Sequence, residues 1–234
     1  MLIGDLIQRI HSLYSKGVHN DETRLMSRHI YNKLLSVRSV LLYNKLNKKQ
    51  KVSQWNYQTI PCVEMITVPI VDCPCIPPLG CYILRSKYQL PKPIIKYNKH
   101  LIKSVTSLDG NIVYSEIDWE DKKYKSDNKY TANKPDYFIR NKFLYITTTK
   151  YPEVITITGL FQDPSEVDSY PSFCCNESNI ESNCISIYDK EFPIDDELID
   201  ALIELSLKEL IEVFNMNRED NTNNTQDNLD QENK

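Results

Sequence analysis

The chain has 234 residues, of which 26% are charged and 41% hydrophobic, and its formal net charge is −4 at pH 7. This length is enough for one sizeable domain or two small ones, and no apolar run approaches the roughly 20 residues of a transmembrane helix. Asp5, Gln8 and Arg9 interrupt the apolar start, so it lacks the continuous core of a signal peptide. We therefore expect a soluble protein, with no membrane partner, made in a reducing cytoplasm.

The two ends of the chain carry opposite charge. The segment before residue 52 has few acidic residues, and its basic residues are Arg9, Lys16, Arg24, Arg28, Lys33, Arg38, Lys45, Lys48, Lys49 and Lys51. The segment from residue 191 has few basic residues, and its acidic residues are Glu191, Asp195, Asp196, Glu197, Asp200, Glu204, Glu209, Glu212, Glu219, Asp220, Asp227, Asp230 and Glu232. Such polarity suits head-to-tail packing of copies or docking on a charged partner. Two well-solvated helix faces explain it equally well.

Two amphipathic helices are predicted in the basic segment. The first has apolar residues at helical spacing from Ile3 to Tyr14 and is expected to end at Gly17. The second begins at about Asp21 or Ser27 and ends in the lysine-rich stretch 47–51, where cations complement the negative end of the helix dipole. Its apolar stripe comprises Ile30, Leu34, Val37 and Leu41.

Frequent prolines mark a change of structure beyond Val52. They exclude long helices and favour short strands and turns. Pro61 to Val71 is predicted to be extended, and Ile83 to Tyr97 to be irregular. A hairpin is then predicted, in which Leu101 to Leu108 and Ile112 to Trp119 flank Asp109-Gly110, a favoured pair for a type I′ turn.

Further strands are predicted after a polar surface loop at residues 120–136. A second hairpin comprises Tyr137 to Ile139 and Phe143 to Thr148, about the turn at residues 140–142. Glu153 to Phe161 forms another alternating strand, which Asp163-Pro164 stops. Residues 165–189 are expected to be a loop with a short strand at Ile185 to Tyr188.

A strong helix is predicted after Pro193. Its apolar residues cover a broad face up to Phe214, and Asp195, Asp196 and Glu197 stand where a helix N-terminus favours negative charge. From Asn217 the chain is almost entirely polar, so we expect it to be disordered in isolation.

The predicted fold class is α+β. N-terminal helices and a C-terminal helix form a helical part, an antiparallel β-domain of hairpins is inserted between them, and a disordered tail follows. The predicted boundaries are 1–51 for the N-terminal helices, 52–190 for the inserted β-rich domain, 191–217 for the C-terminal helix packed on those helices, and 218–234 for the tail.

No catalytic apparatus is recognisable. The five glycines form neither a phosphate-binding loop nor a dinucleotide fingerprint, and the four histidines form no close ligand pair. His29, on a helix, is better explained as a surface or interface residue than as a base. The acidic cluster Asp195 to Glu197 is better explained by the helix dipole than by catalysis. The lysines from Lys45 to Lys51 are better explained as a helix end than as a phosphate-binding site. We predict no catalytic residues and no cofactor, and therefore not an enzyme.

The seven cysteines leave one alternative open. Cys73, Cys75 and Cys81 lie close together with Cys62 upstream, and thiolates bind zinc tetrahedrally. Their spacing is not that of a standard zinc knuckle, so free thiols packed as small hydrophobes are the favoured interpretation. An odd number of cysteines also fits free thiols better than a disulfide framework. A zinc-stabilised binding module that uses these four residues is the alternative from another functional class.

The order of several segments resembles the head-to-tail connector, or neck ring, proteins of tailed bacteriophages, and more narrowly a ring protein of the crAss-like phages of gut Bacteroidales. The segments that carry this resemblance are LIGDLIQRI (2–10), SRHIYNKLLSVRS (27–39), QWNYQTIPCVE (54–64), CPCIPPLGC (73–81), IKSVTSLDG (102–110), ITITGLFQDPSEV (155–167) and FPIDDELIDALIEL (192–205). Together they extend over nearly the whole chain except the polar tail.

The resemblance implies a structural virion protein without catalytic residues. Such proteins form rings, commonly dodecamers, beneath the portal protein, extend the DNA channel and present a surface to the next tail or ring component. Genomic DNA would pass through without sequence-specific binding, and assembly would take place in the bacterial host cytoplasm. Another tail or baseplate adaptor would share the same combination of helices and hairpins.

Overall fold

A computed structural model describes residues 1–17, 25–69, 82–97, 99–121, 134–147, 152–174 and 186–229, with side-chain surroundings described as far as Val213. The chain divides into two compact units. Unit 1 comprises Met1–Val52 and Ile185–Lys234, and unit 2 comprises Ser53–Cys184. Long helices occur in unit 1 and strands in unit 2, so the chain is a mixed α+β protein, as predicted.

The helices are α1 (Ile3–Tyr14), α2 (Ser27–Asn47), α3 (Pro164–Asp168) and α4 (Asp196–Leu229). Short 3₁₀ helices are η1 (Gln54–Asn56), η2 (Trp119–Asp121) and η3 (Ile187–Asp189). The strands are β1 (Gln58–Pro69), β2 (Tyr82–Ser86), β3 (Ile95–Lys96), β4 (Lys99–His100), β5 (Ile102–Ser107), β6 (Val113–Glu116), β7 (Asp136–Arg140), β8 (Phe143–Thr147) and β9 (Val154–Gly159).

Unit 1 is built from α1, α2 and α4, each in contact with the other two. Their apolar faces form one core, because residues three or four apart share a helix face. The buried members of this core are Ile3, Leu6, Ile7, Ile10, Leu25, Ile30, Leu34, Leu35, Val37, Phe192, Ile194, Leu202, Ile203 and Leu210. The predicted apolar faces of the three helices therefore face this core, except for Leu13 and Leu205, which are exposed. The surroundings of Phe214 lie outside the described side chains.

The helix ends follow from local hydrogen bonding. Gly17 at φ +78° donates its N–H to the Ser12 carbonyl at 2.9 Å, and Lys16 donates to Leu13, which closes α1 in a Schellman motif. Lys49 at φ +55° and Gln50 close α2 in the same way. The predicted end of α1 at Gly17 and the end of α2 in the lysine-rich stretch are confirmed.

The start of the chain pairs with the segment that leads into α4. Ile3 N–H donates to the Lys190 carbonyl at 2.9 Å, and Phe192 N–H donates to the Met1 carbonyl at 3.0 Å. The residues just before this pairing form η3, whose first turn is capped by the Ser186 hydroxyl, so the described part of the predicted strand at Ile185 to Tyr188 is not a strand. Ile185 lies outside the described residues. A hydroxyl cap favours a local turn over an extended ladder.

The polar C-terminal segment is more ordered in backbone than its composition suggested. Helix α4 continues to Leu229, whereas the chain from Asn217 was expected to be disordered. Adding a residue to an existing helix costs far less free energy than nucleating one. No glycine or proline follows Pro193 to break the helix. Residues 230–234 of the expected tail lie outside the described residues.

Unit 2 contains a closed barrel with the strand order β1-β2-β8-β7-β6-β5-β9 and a separate two-stranded sheet, β3-β4. Alternate residues of each strand face the interior. Leu144 and Ile146 belong to the main cluster, while Tyr145 between them stacks on Phe138 with ring centroids 5.0 Å apart. The main buried cluster comprises Ile60, Val63, Met65, Leu84, Leu90, Val105, Tyr114, Tyr137, Leu144, Ile146, Ile155, Ile157, Phe161 and Val167.

Strand β2 was not predicted, because residues 83–97 were expected to be irregular. It pairs with both β1 and β8, so its backbone hydrogen bonds come from neighbours distant in sequence. A five-residue strand with Arg85 among its apolar residues has too little alternation to be identified from pattern alone. Closure of the barrel, and not local propensity, decides its conformation.

The two predicted hairpins exist, but their turns differ from expectation. At β5–β6, Gly110 has φ +71° while Asp109 does not have positive φ, so the predicted type I′ turn at Asp109-Gly110 is wrong. The side chains of Ser107 and Asn111 instead donate to the Asp109 carboxylate and hold a longer loop. These hydrogen bonds, that from Ser107 first, lower the pKa of Asp109.

The β7–β8 hairpin carries the tight turn. Arg140 pairs directly with Phe143, and both residues between them, Asn141 at φ +52° and Lys142 at φ +66°, have positive φ. Positive φ at both central positions is the requirement of a type I′ turn. Asparagine tolerates this region well, whereas lysine does so only at a cost.

An antiparallel sheet was predicted, but one pair of neighbouring strands in the barrel is parallel. Strands β6 and β7 pair in parallel, with Ser115 opposite Asp136 and Glu116 opposite Tyr137. Parallel neighbours need a crossover of about a dozen residues or more. The chain between Glu116 and Asp136, of which residues 120–136 were predicted as a surface loop, is long enough to supply that crossover. After β9, Asp163 accepts a hydrogen bond from Ser165 N–H at 2.8 Å and caps α3, which confirms the predicted stop.

Candidate assembly surfaces

The opposite charges of the two chain ends meet inside unit 1. Arg9 of α1 pairs with Asp200 of α4 at 3.2 Å, and Lys33 of α2 pairs with Glu209 of α4. Some basic residues of the N-terminal segment are therefore neutralised by acidic residues of the C-terminal segment within one subunit. The expectation that these charges are available for neighbouring copies or a charged partner is corrected to that extent. The sequence could not show that α2 and α4 pack side by side.

Lys45 makes the least exposed of these ion pairs. Its Nζ lies 2.9 Å from Oδ2 of Asp195 and also pairs with the Glu197 carboxylate. The side chains of Lys45 and Asp195 are only 11% and 10% exposed. The hydrogen bond to Glu197, followed by that to Asp195, raises the pKa of Lys45 above its ordinary value. A lysine held in this way is a structural cation and not a free contact for phosphate.

The acidic cluster at residues 195–197 contains two partners of Lys45. Asp195 directly precedes α4, and Asp196 and Glu197 belong to its first turn. Their position at the N-terminus matches the predicted interaction with the helix dipole. The pairing of Asp195 and Glu197 with Lys45 adds a role that the sequence did not reveal, namely fastening the start of α4 to the end of α2.

Arg38 lies wholly inside unit 1. Its side chain has no solvent exposure, its Nε donates a hydrogen bond of 2.8 Å to the Pro193 carbonyl, and its guanidinium lies over the Phe192 ring, 5.8 Å from the centroid. Sequence reasoning counted Arg38 only as a surface charge. Its position four residues after Leu34, on the apolar stripe of α2, was the available signal.

The antiparallel arrangement of α2 and α4 follows from their ion pairs, since Lys33 faces Glu209 while Lys45 faces Asp195. An open groove of about 410 Å³ lies between the two helices near the Lys33–Glu209 pair. Its lining residues are His29, Asn32, Lys33, Glu209, Leu210 and Val213. His29 was predicted to be a surface or interface residue, and it is exposed at this groove.

The described part of unit 2 exposes several aromatic side chains. Trp55 is 80% exposed and Tyr97 is 75% exposed. Lys103 Nζ lies 4.7 Å from the centroid of the Tyr57 ring, and Lys96 lies 5.5 Å from that of Tyr97. Exposed aromatic residues with stacked cations are frequent at protein interfaces.

The cysteine prediction needs a correction. Cys62 forms a disulfide bond with Cys174, although free thiols were expected. Cys62, at φ +56°, lies in a β-bulge of β1 between Ile60 and Val63. Phe173 N–H donates to the Cys62 carbonyl at 3.1 Å, so the two segments run side by side. Spacing along the chain could not show this, because the two cysteines are 112 residues apart.

The disulfide removes Cys62 from the candidate zinc ligands while it is oxidised, since only a thiolate binds the metal. The other candidates, Cys73, Cys75 and Cys81, lie outside the described residues. Within the residues described, no group of three or more His, Cys, Asp or Glu side chains is placed to hold a metal ion. Over the same residues, no helix is both long and apolar enough to cross a bilayer.

A family model described as phage tail ring protein 2 matches residues 5–229, and the chain therefore belongs to this family of ring proteins of crAss-like phages. The chain is also similar to ring protein 2 of Bacteroides phage crAss001, with 29% identity over 204 residues, which cover 82% of this chain and 83% of the relative. It is thus a structural ring protein of a phage virion.

Proposed function

We propose that this chain forms the ring of the phage neck that lies below the portal protein, extends the DNA channel and links the capsid to the tail. In this proposal twelve copies form the ring, the portal and an adjacent ring or tail protein are its partners, and assembly takes place in the cytoplasm of the bacterial host.

The extent of the family match carries this proposal. Residues 5–229 include both the helices of unit 1 and the barrel of unit 2, so the similarity extends to both units. A closed ring requires two different surfaces on every copy, one for each neighbour, and further surfaces for the components above and below. A helical unit and a separate barrel supply such a set of distinct surfaces.

The proposed channel should have a lining that does not bind the DNA passing through it. Strong phosphate binding would need several free Lys or Arg side chains along the lumen. Lys45 forms ion pairs with Asp195 and Glu197, so we do not expect it to bind phosphate in such a lining. Lys48, Lys49 and Lys51 are exposed, and we expect them to point away from the channel. A lumen densely lined by these three lysines in a ring reconstruction would contradict this part of the proposal.

The end of α4 is proposed to dock on the portal or the adjacent ring. From Val213 to Leu229 the helix continues for roughly 24 Å, beyond its described contacts with α2. Deletion of residues 218–234 should leave unit 1 folded, because the core residues identified where side-chain surroundings are described end at Leu210. We expect particles made with the truncated chain to lose the docked component, whereas unchanged assembly would count against the docking role.

Electron cryomicroscopy of purified particles tests the proposal as a whole. The expected result is density for this chain as a twelve-fold ring directly below the portal. Location of the chain at a baseplate, or its absence from mature particles, would overturn the proposal.

The family description names the tail, so a ring further down the tail is the second candidate, and the same images distinguish the two positions. Metal analysis of purified protein tests the zinc-stabilised module.

A further inference from the structure

The outer face of α2 carries a stripe of residues without Lys, Arg, Asp or Glu. Residues three or four apart on this face line up as a stripe, which we call the α2 stripe and which comprises His29, Asn32, Ser36, Val40, Tyr43 and Asn47. All are exposed except Tyr43, which is half-buried, and Val40 is 52% exposed. A long uncharged face is unusual on a chain with 26% charged residues, because solvent-facing helix surfaces normally carry Lys and Glu.

Three of the four Lys and Arg residues of α2 are directed away from this stripe. Arg38 is buried in the core, where it donates to Pro193. Lys33 and Lys45 turn towards α4 and pair with its carboxylates. Arg28, which is exposed in the first turn, borders the stripe one turn before Asn32. The ion pairs within the subunit therefore leave the α2 stripe neutral.

The neutral surface continues from α2 onto α4. His29 and Asn32 of the stripe also line the groove between the two helices, together with the apolar side chains of Leu210 and Val213. Val213 is 57% exposed. The remaining charged residues of the groove, Lys33 and Glu209, neutralise each other. An inserted side chain would thus meet an apolar floor with a polar and electrically neutral rim, which is the usual anatomy of a protein interface.

We propose that the α2 stripe and the adjoining groove form the surface on which the next copy of this chain docks in the ring. This inference rests on the proposed function, because a ring requires each copy to bind an identical neighbour. Each copy has a net charge of −4, so two copies repel each other at long range and wherever faces of the same charge meet. A neutral face allows the closest approach of like-charged chains.

Other occupants fit the surface less well. Nucleic acid binds through Lys and Arg contacts to phosphate, and the stripe supplies none. A different protein of opposite charge would be selected by a charged face and not by a neutral one. The α2 helix of 21 residues is roughly 30 Å long and offers a strip of roughly 300 Å². A standard interface buries about 800 Å² on each partner, so the α2 stripe would be its centre and not its whole extent.

Photo-crosslinking in phage particles tests the occupant. A copy of the chain with p-benzoylphenylalanine at position 40 would be supplied during infection, and the purified particles would be irradiated. The matched control carries the same amino acid at position 113, because Val113 on β6 is exposed to a similar extent, 59%. We expect a product with the mass of two copies of this chain from position 40, stronger than that from position 113. A product with another virion protein, no product, or equal products from both positions would overturn the inference.

A pair of charge variants tests the same surface independently. Val40→Glu buries an unpaired charge at the proposed interface, whereas Val113→Glu is the same change at a similarly exposed site on β6, outside the α2 stripe and the groove. In particles grown with wild-type and variant copies together, we expect about tenfold or greater depletion of Val40→Glu relative to Val113→Glu. Equal incorporation of the two variants would overturn the inference. Absence of the chain from all particles would instead refute the proposed function, so the two failures are distinguishable.

Discussion

Nε of Arg38 donates a hydrogen bond of 2.8 Å to the carbonyl oxygen of Pro193, inside a core where the arginine side chain has no solvent exposure. This contact joins the middle of α2 to the segment that leads into α4, across 155 residues of sequence. A buried guanidinium is tolerated only when its donors find acceptors. The bond therefore links the N-terminal part of unit 1 to its C-terminal part inside the core.

Removal of the buried guanidinium should destabilise unit 1. Arg38→Ala leaves a cavity and an unpaired Pro193 carbonyl, so we expect the free energy of unfolding to fall by about 3 kcal/mol. Chemical denaturation followed by circular dichroism measures this change. The control is Arg28→Ala on the exposed first turn of the same helix, which should change the free energy by less than about 0.5 kcal/mol. Equal effects of the two substitutions would contradict the assigned role of Arg38.

The Lys45 ion pairs predict a pH dependence at alkaline pH. Because Glu197 and Asp195 raise the pKa of Lys45 above 10.5, the folded protein holds this proton more tightly than the unfolded chain. The stabilisation is complete below pH 10.5 and is lost as pH rises through the folded-state pKa. Lys45→Met should lower the free energy of unfolding by about 2 kcal/mol at neutral pH.

The difference between wild type and Lys45→Met should shrink above pH 10.5, and comparison at each pH cancels the titration of the tyrosines. Lys48→Met, the same change at an exposed lysine near the end of α2, serves as the control and should change stability by less than about 0.5 kcal/mol. A difference for Lys45→Met that stays constant through the alkaline range would refute the prediction.

The Cys62–Cys174 disulfide should make stability sensitive to reductant. It closes a long loop of the unfolded chain, with a sequence separation of 112 residues. We expect its reduction to lower the free energy of unfolding by about 2–4 kcal/mol. Denaturation with and without a phosphine reductant measures the effect, and intact mass shows whether the bond is present. Cys174→Ser should unfold identically under both conditions, and sensitivity of that variant to reductant would show that another cysteine is responsible.

The β7–β8 turn offers a stabilising substitution. Lys142 is held at φ +66°, a region that costs a lysine backbone more than glycine. Lys142→Gly should raise the free energy of unfolding by about 0.5–1 kcal/mol, because relief of this strain outweighs the added freedom of the unfolded chain. Asn141→Gly at the neighbouring position should give a smaller gain, since asparagine tolerates positive φ. A loss of stability for Lys142→Gly in thermal denaturation would count against the type I′ turn.

Local features of the sequence predicted much of the fold. The apolar spacing of α1 and α2, the end of α1 at Gly17 and the alternation of β9 depend on residues close together in the chain, and the structure confirms them. Strand β2 and the parallel β6–β7 pair were missed, because their partners are distant in sequence. The tight turn was assigned to Asp109-Gly110 on residue preference, whereas strand register places it at Asn141-Lys142.

The sequence by itself determined the α+β composition, the apolar faces of the helices, the strand texture of the middle segment and the resemblance to phage ring proteins, because each of these depends on residue types and their spacing. Only the tertiary structure decided which charges pair, which cysteines meet, which carbonyl Arg38 binds and that Lys33 and Lys45 turn away from the α2 stripe. These features depend on which distant segments lie side by side. Packing sets that relationship, and the local order of residues does not identify the partners.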